Sequence, residues 1–489
     1  MNYEAVIGLE VHAELATQSK MFCPCPVVDP TQTAANTAVC PVCAGLPGVL
    51  PVVNRQAVEF GLRVALALQC QVAHTSLFAR KNYFYPDLPK GYQISQYESP
   101  LAEHGCLLIE TAAGEQSIRV RRVHLEEDTG KLTHISRNGE CFSLVDLNRA
   151  GVPLLEIVSE PDMHTVEEVR AYASALRAVL RTLGVNSGDM EKGVIRFEAN
   201  VSVRPLGSQV LGTRVEIKNL NSFRALEHSV AYQIAQQSAA LERGQAVQQE
   251  TLGWDDAAGI TFSQRSKEEA HDYRYFPEPD LRPLVVEPGW RERVAASLPE
   301  LPYARRQRFV RQYGLAPAAA SLLVDDQDVA GYFEGVAASL DQASLHQAAN
   351  WITGELFAWM NESGASLQQV RVPPGELAEL LGYLKRGELN LTTAKAVFTE
   401  MLETGQSAAQ VIAARHLTQI SDPVAVSALV RQALDAHPVE LQNYLDGKET
   451  LENWFFGQVM RAAAGQANPQ VVRAELRRFL QAAKDARRD

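Results

Sequence analysis

The chain has 489 residues, 46 % hydrophobic and 21 % charged, an ordinary balance for globular domains that excludes a disordered chain. Acidic residues outnumber basic ones by 58 to 46, a formal net charge of −12, so a polyanionic partner needs a local basic surface to hold it against the overall field. At one domain per roughly 150 residues, the length predicts about three domains.

Met1-Asn2-Tyr3-Glu4 lacks the basic start and apolar run of a secretory signal, and no stretch approaches the roughly 18 apolar residues of a membrane helix. Seven cysteines without an export signal argue against a disulfide scaffold. A cytoplasmic protein with no membrane partner is expected.

The first element alternates. Ala5, Ile7, Leu9, Val11, Ala13 and Leu15 share one face, and Val6, Gly8, Glu10, His12 and Glu14 the other, polar apart from Val6. Glu10 and His12 leave the same face roughly 6–7 Å apart, within reach of one ion. Cys23-Pro-Cys25 and Cys40-Pro-Val-Cys43 then put four of the seven cysteines within a short span. Two close pairs supply four thiolates to a tetrahedral ion, so a closed structural zinc site is predicted, although the first pair is C-x-C rather than C-x₂-C. Cys70, Cys106 and Cys141 lie apart and are predicted to be small core residues.

Arg80 to Asp87 and Asp272 to Glu278 mix cations and aromatics without periodicity and read as loops over a binding basin. Carboxylates gather in His124-Leu-Glu126-Glu127-Asp128 and in Glu156-Ile-Val-Ser-Glu160-Pro-Asp162, and hard oxygen donors of this kind suit Mg²⁺ beside substrate phosphates. Thr165 to Leu183 carries a helical apolar stripe with a Thr165/Glu168 capping box and a stop at Gly184. Ile195 to Val203 and Val215 to Ile217 alternate as one-sided strands, and a second helix is predicted from Ser222 to Arg243.

Four prolines between 276 and 289 mark a boundary, after which short Ala-, Leu-, Gln- and Glu-rich helices follow. The reading is a β-rich front domain and one or two helical domains. After Asn453, seven basic residues face three acidic ones, a local reversal of sign that a solvated helix end also explains. No G-x-x-x-x-G-K-[ST] loop, G-x-G-x-x-G turn or G-x-S-x-G elbow occurs. The chain is equipped for metal-assisted phosphoryl chemistry and poorly equipped for hydrolysis through a covalent intermediate.

Val6-Ile-Gly-Leu-Glu10-Val-His12, Arg80-Lys-Asn-Tyr-Phe-Tyr-Pro-Asp87, Tyr92-Gln-Ile-Ser-Gln96, His124-Leu-Glu-Glu-Asp128, Val145-Asp-Leu-Asn-Arg149, Glu156-Ile-Val-Ser-Glu-Pro-Asp162, Asp272-Tyr-Arg-Tyr-Phe-Pro-Glu-Pro-Asp280 and Gly465-Gln-Ala-Asn-Pro469 together resemble the B subunit of the aspartyl/glutamyl-tRNA amidotransferases. The resemblance runs in order from residue 3 to about 480. It implies an α+β fold: a cradle-shaped catalytic domain over 1–292, an all-α helical domain over 293–412, and a small α-helical tail over 413–489 that contacts the tRNA elbow. It also implies a two-step reaction. ATP phosphorylates the side-chain carboxylate of Glu on tRNA(Gln) or Asp on tRNA(Asn), and ammonia then displaces phosphate.

Carried across by motif, Glu10, His12, Glu126 and Glu156 surround Mg²⁺, and Lys81 and Glu127 stand where ammonia enters. Tyr83, Tyr85, Asp87, Gln93, Glu198, Lys218, Asn219 and Arg274 are expected to bind substrate or nucleotide, and Arg473, Arg477 and Arg478 to contact tRNA. Cys23, Cys25, Cys40 and Cys43 keep the zinc set, which some family members lack. The implied partners are an amidase-type A subunit, which accounts for the missing nucleophile, a small C subunit, and the mischarged tRNA. The alternative from another class is a zinc-stabilised RNA-binding module without its own catalysis. A stand-alone carboxylate-metal nuclease is a third.

Overall fold

The computed structural model describes residues 3–29, 31–266, 273–415, 417, 422–463 and 467–485. Asp272, Gly465, Gln466, Arg487 and Arg488, part of the motifs and tail charge noted above, lie outside the described residues. The chain divides into two compact units, Met1–Arg305 and Arg306–Asp489.

The first unit is built in the order β1 (Tyr3–Glu14), α1 (Arg55–Ala67), β2 (Gln71–Val72), β3 (Thr75–Ser76), β4 (Ala79–Asn82), β5 (Tyr92–Ser95), β6 (Ala102–Thr111), β7 (Gly114–Glu127), β8 (Lys131–Arg137), β9 (Glu140–Asp146) and β10 (Pro153–Ser159). There follow α2 (Val166–Thr182), β11 (Ile195–Pro205), β12 (Val215–Leu220), α3 (Phe223–Glu242), β13 (Glu250–Asp255), β14 (Ile260–Ser266), β15 (Phe276–Pro277), β16 (Leu284–Val285) and α4 (Pro288–Ala296). Nine strands form one sheet in the order β14-β13-β12-β11-β1-β10-β7-β6-β2. Every pairing in it is antiparallel except β12 with β13, where α3 provides the crossover that a parallel pair requires.

The alternation in β1 decides which face is covered. Ile7, Leu9 and Val11 join Val123, Leu125, Leu155, Ile157, Phe197 and Val201 in one core with Leu62 and Val64 of α1, Val169, Tyr172 and Leu176 of α2, and Leu226 and Val230 of α3. Each such side chain, fully buried, contributes about 1.5–3 kcal/mol. α2 begins as its sequence requires: the Thr165 side chain accepts from Glu168 N while the Glu168 carboxylate accepts from Thr165 N. Gly184, at φ +67°, follows its C-cap.

The composition break near residue 290 does not end the first core. Val294 is buried in it and Trp290, Leu298 and Leu301 pack against it, so α4 belongs to the first unit, which by its contacts extends to Arg305. Cys70 is buried as expected and Cys106 half-buried. Cys141 is exposed on the two-stranded β8-β9 sheet, which among the described residues pairs with no other strand.

The second unit holds helices α5 (Pro302–Tyr313, begun in the first unit), α6 (Pro317–Val324), α7 (Gln327–Ala337), α8 (Leu345–Trp351), α9 (Phe357–Ser363), α10 (Pro374–Lys385), α11 (Leu391–Thr404) and α12 (Ala408–Arg415), then α13 (Pro423–Asp435), α14 (Pro438–Leu445), α15 (Leu451–Ala462) and α16 (Pro469–Asp485). It has two cores. One, around Phe309, Phe333, Trp351 and Phe398, spans α5 to α12, and the other, around Val430, Phe455, Val459 and Leu476, spans α13 to α16. No helix among the described residues is long and apolar enough to cross a membrane.

Candidate active site

The face of the sheet opposite the helices carries the charges, many of them buried. Register pairs His124 of β7 with Glu156 of β10, Glu156 with His12 of β1, and His12 with Arg196 of β11, one rung across four strands. Neighbouring rungs pair Glu126 with Leu154, Glu10 with Glu198, and Asn200 with Glu216. Directly opposed residues stand about 5 Å apart, so such rungs bring functional groups together from distant parts of the chain.

Two ligand sets result. The ligand atoms of His12, Glu126 and Glu156 lie within 4.8 Å of one another, with His12 Nε2 3.3 Å from Glu156 Oε2 and 3.8 Å from Glu126 Oε1. Glu10, expected beside them, groups instead with Glu198 and Glu216. The register is the reason: it sets Glu10 against Glu198 and His12 against Glu156, so two adjacent polar positions of β1 serve different sets. His124, which sequence reasoning did not single out, places Nε2 3.5 Å from Glu156 and 3.8 Å from Glu126.

Electrostatics separate the sets. Burial opposes the His12 imidazolium, but its hydrogen bond to Glu156 and the charges of Glu156, Glu198 and Glu126 prevail and raise it to about 9. Burial likewise opposes ionisation of Glu156, and His124 and His12 overcome it, holding the carboxyl well below the ordinary range. The Glu10 carboxyl is raised, by burial first and then by Glu156, Glu198 and Glu216. Lys218 partners the second set, 2.7 Å from Glu198 and 3.2 Å from Glu216. Asn200 donates to Glu10 at 2.9 Å, while its own Oδ1 is buried with no partner among the described residues, an oxygen disposed to meet a cation. The donors at both sets are the carboxylate, imidazole and amide groups that Mg²⁺ accepts, so the residues present fit that ion.

The first set, with Glu10 and Glu198 of the second, opens into a cavity of about 360 Å³, whose lining includes Lys81, Tyr83, Asp87, Gln93 and Asn219 with Glu10, His12, Glu126, Glu156, Glu198 and Lys218. Burial opposes the charge of Lys81, yet Glu126 and then Glu156 keep its ammonium firmly protonated, and Nζ stands 5.0 Å from the Tyr273 ring centre. An adjoining cavity of about 670 Å³ shares Glu10, Lys81, Glu126, Glu156 and Lys218 and extends to Tyr85, Tyr97, Tyr275, Arg122 and Arg214. Tyr97 and Tyr275 stack there with centroids 4.1 Å apart.

Glu127 lies elsewhere. Successive strand residues face opposite ways, so it turns away from Glu126 into a third cavity of about 220 Å³ beside the cysteines. There it accepts from Ile94 N at 2.9 Å and pairs with Lys90, not with Lys81. Arg274 is exposed, at φ +43°, and lines none of these cavities. Sequence reasoning also passed over a buried knot: Asp128 Oδ2 lies 2.9 Å from Arg196 Nη2 and 3.6 Å from Arg149 Nε, and all three line the 360 Å³ cavity. Quoted motifs contain Asp128 and Arg149, and Arg196 falls in the Ile195 to Val203 alternation, but the pairing of Asp128 with Arg196 across 68 positions of chain is visible only in three dimensions.

The four cysteine sulfurs also lie within 4.8 Å of one another, with Cys43 3.9 Å from Cys40 and 4.0 Å from Cys25. A tetrahedral ion with metal–sulfur bonds of about 2.3 Å needs sulfurs about 3.8 Å apart. The cluster can therefore hold a metal such as zinc. In the tail, Arg473, Arg477 and Arg478 share α16, and each has a partner: Arg473 lies over Phe456, Arg477 bonds Glu452 at 2.8 Å, and Arg478 pairs with Glu475 at 2.6 Å.

Residues 5–292 match the GatB/GatE catalytic domain and residues 331–480 the GatB domain. The chain belongs to the GatB/GatE family. It is 51 % identical over 480 residues to the B subunit of the aspartyl/glutamyl-tRNA(Asn/Gln) amidotransferase of Moorella thermoacetica, covering 98 % of this chain and 100 % of that one. The proteins of the same name from Thermomicrobium roseum and Myxococcus xanthus are each 49 % identical, over 481 and 479 residues, with 98 % of this chain and 99 % of theirs covered. The GatB/GatE catalytic match thus spans the two ligand sets of the polar face and the cysteine cluster.

Proposed function

We propose that the chain is the ATP-using subunit of a tRNA-dependent amidotransferase, acting on Glu-tRNA(Gln), Asp-tRNA(Asn) or both in the cytoplasm. It would work with an amidase-type A subunit that releases ammonia from glutamine and a small C subunit. The observation that carries the reading is the convergence of His12, Glu126 and Glu156 within 4.8 Å, beside Lys81, in one polar cavity.

The chemistry follows from the groups. A carboxylate is a poor electrophile. Attack of its oxygen on the terminal phosphorus of ATP forms an acyl phosphate and expels ADP, and attack of ammonia on the acyl carbon forms the amide and expels phosphate. His12, Glu126 and Glu156 would hold Mg²⁺, which when bound neutralises charge on the transferring phosphoryl group. Lys81, kept cationic beside this set, is suited to bind an oxygen of the substrate carboxylate or phosphoryl group. Arg149 and Arg196 reach the same cavity as cations for the leaving phosphates, while Tyr83, Asp87, Gln93 and Asn219 line it around the nucleotide. Tyr97 and Tyr275 offer the adjoining cavity an aromatic surface for the 3′-terminal nucleoside. Glu127 with Lys90 lines the third cavity, which would be where ammonia enters. Arg473, Arg477 and Arg478 would meet tRNA phosphates by exchanging their present partners.

The test is Glu126→Gln and Glu156→Gln in the reconstituted complex, with amide formation and glutamine hydrolysis assayed separately. Loss of one preorganised electrostatic group predicts a fall in amide formation of about 100-fold or more with glutamine hydrolysis retained. Full amide formation in both variants would overturn the reading.

A further inference from the structure

Lys20 is fully buried, and among the described residues no carboxylate lies within ion-pair distance of it. Its ammonium instead meets the Ala38 carbonyl at 2.9 Å, the Leu147 carbonyl at 3.2 Å and the Cys43 sulfur at 3.6 Å. Its backbone joins the same cluster, because Lys20 N donates to the Cys25 carbonyl at 2.9 Å. An ammonium in the interior is strongly disfavoured unless an anion compensates it. The nearest group able to carry negative charge is the cysteine set. Four thiolates around a divalent ion bear a net charge of −2, so one buried cation halves the charge that the surrounding protein must tolerate.

We propose that Lys20 is the counter-ion of a tetrathiolate metal centre formed by Cys23, Cys25, Cys40 and Cys43. It is a positioning residue, acting on the metal through Cys43 without ligating it. Its contact with the Leu147 carbonyl extends the centre's influence. Leu147 precedes Asn148, which accepts from Ala38 N at 2.9 Å and donates to the Ala34 carbonyl at 2.8 Å, and Arg149 follows in the wall of the 360 Å³ cavity. The loop that places Arg149 is thus fastened to the metal knuckle through Lys20 and Asn148. The inference depends on the knuckle holding a metal and is independent of the transamidation reading.

The test uses the full chain loaded with zinc, and Lys20→Met and Lys20→Arg. Zinc transfer to a chromogenic chelator should show Lys20→Met binding about 10- to 100-fold more weakly, the usual effect of losing an outer partner of a metal ligand. Lys20→Arg, which keeps the charge, should recover most of that loss. Cobalt substitution should give the same sulfur-to-metal charge-transfer bands in all three, since the four ligands are unchanged. With the metal removed, Lys20→Met should unfold in urea no earlier than the parent chain, because an uncompensated buried cation is gone. Four results would overturn the proposal: unchanged zinc affinity in Lys20→Met, no rescue by Lys20→Arg, a variant that is insoluble or equally destabilised with and without metal, or a parent chain that retains no zinc. The last would remove the centre itself while leaving the amidotransferase reading intact.

Discussion

Replacing Asp128 by asparagine takes one buried charge from between two guanidinium groups. Asp128 Oδ2 is 2.9 Å from Arg196 and 3.6 Å from Arg149. At an effective dielectric of about 20, these contacts represent about 6 and about 5 kcal/mol of gross Coulomb energy. Desolvation offsets most of that, and removing one partner of a buried pair costs about 3–5 kcal/mol. Asparagine can still accept from Thr129 N, 2.8 Å from Oδ1, so the lower end, about 3 kcal/mol, is expected near pH 5.5. Burial opposes ionisation of Asp128, but Arg196 and Arg149 hold its carboxyl below the usual range, so its contribution is complete above about pH 4. Glu14 behaves in the opposite sense. Burial and then Asp128 raise its carboxyl from 4.5 to about 8, so the stability tied to its protonated form is full below about pH 4.5 and disappears as the pH rises through 8. Asparagine removes the neighbouring charge that helps to raise Glu14. The parent chain therefore loses more stability than the variant between pH 5.5 and 8.5, and the difference between them narrows. Urea unfolding at both pH values, with amide exchange in β1, β7 and β11 to localise the effect, measures this. A loss under about 1 kcal/mol at pH 5.5, or a difference that widens with pH, would refute the reasoning.

Three further outcomes are expected. His12 carries its proton up to about 9 in the metal-free fold, against 6.5 unfolded, so protonation favours folding below about pH 6.5 and ceases to do so as the pH passes 9. Mg²⁺ has to displace that proton, so calorimetry in buffers of different ionisation enthalpy should show proton release on binding and rising affinity from pH 6.5 to 8.5. Lys90→Met leaves the Glu127 carboxylate buried and should cost about 3 kcal/mol, while Lys90→Met with Glu127→Gln should recover more than half of it in a double-mutant cycle. Chelation of the cysteine-bound metal should speed amide exchange at residues 146–149 while leaving α2 protected, measured by mass spectrometry.

How legible this was depended on the range of the interactions. β1, β11, α2 and α3 could be read because their signals are local: strict alternation, a capping box, a glycine stop. Glu126 and Glu156 could be named from their motifs, yet the division into two ligand sets rests on strand register, which places Glu10 opposite Glu198 and His12 opposite Glu156. The Asp128–Arg196 pair, His124 and Lys20 were missed for the same reason, since each is defined by partners far away in sequence. Lys81 and Glu127 were expected at one entrance, but adjacent residues of β7 face opposite ways, so Glu127 meets Lys90 at another cavity while Lys81 stands beside Glu126. The extension of the first core to Leu301 escaped the composition break because proline marks a turn and says nothing of which side α4 packs on.

The claim that His12, Glu126 and Glu156 together hold a divalent ion is tested most directly by anomalous diffraction from crystals of the protein soaked in Mn²⁺. A peak bonded to His12 Nε2 and to carboxylate oxygens of Glu126 and Glu156 is expected. Manganese bound elsewhere, with no peak among these three side chains, would contradict it.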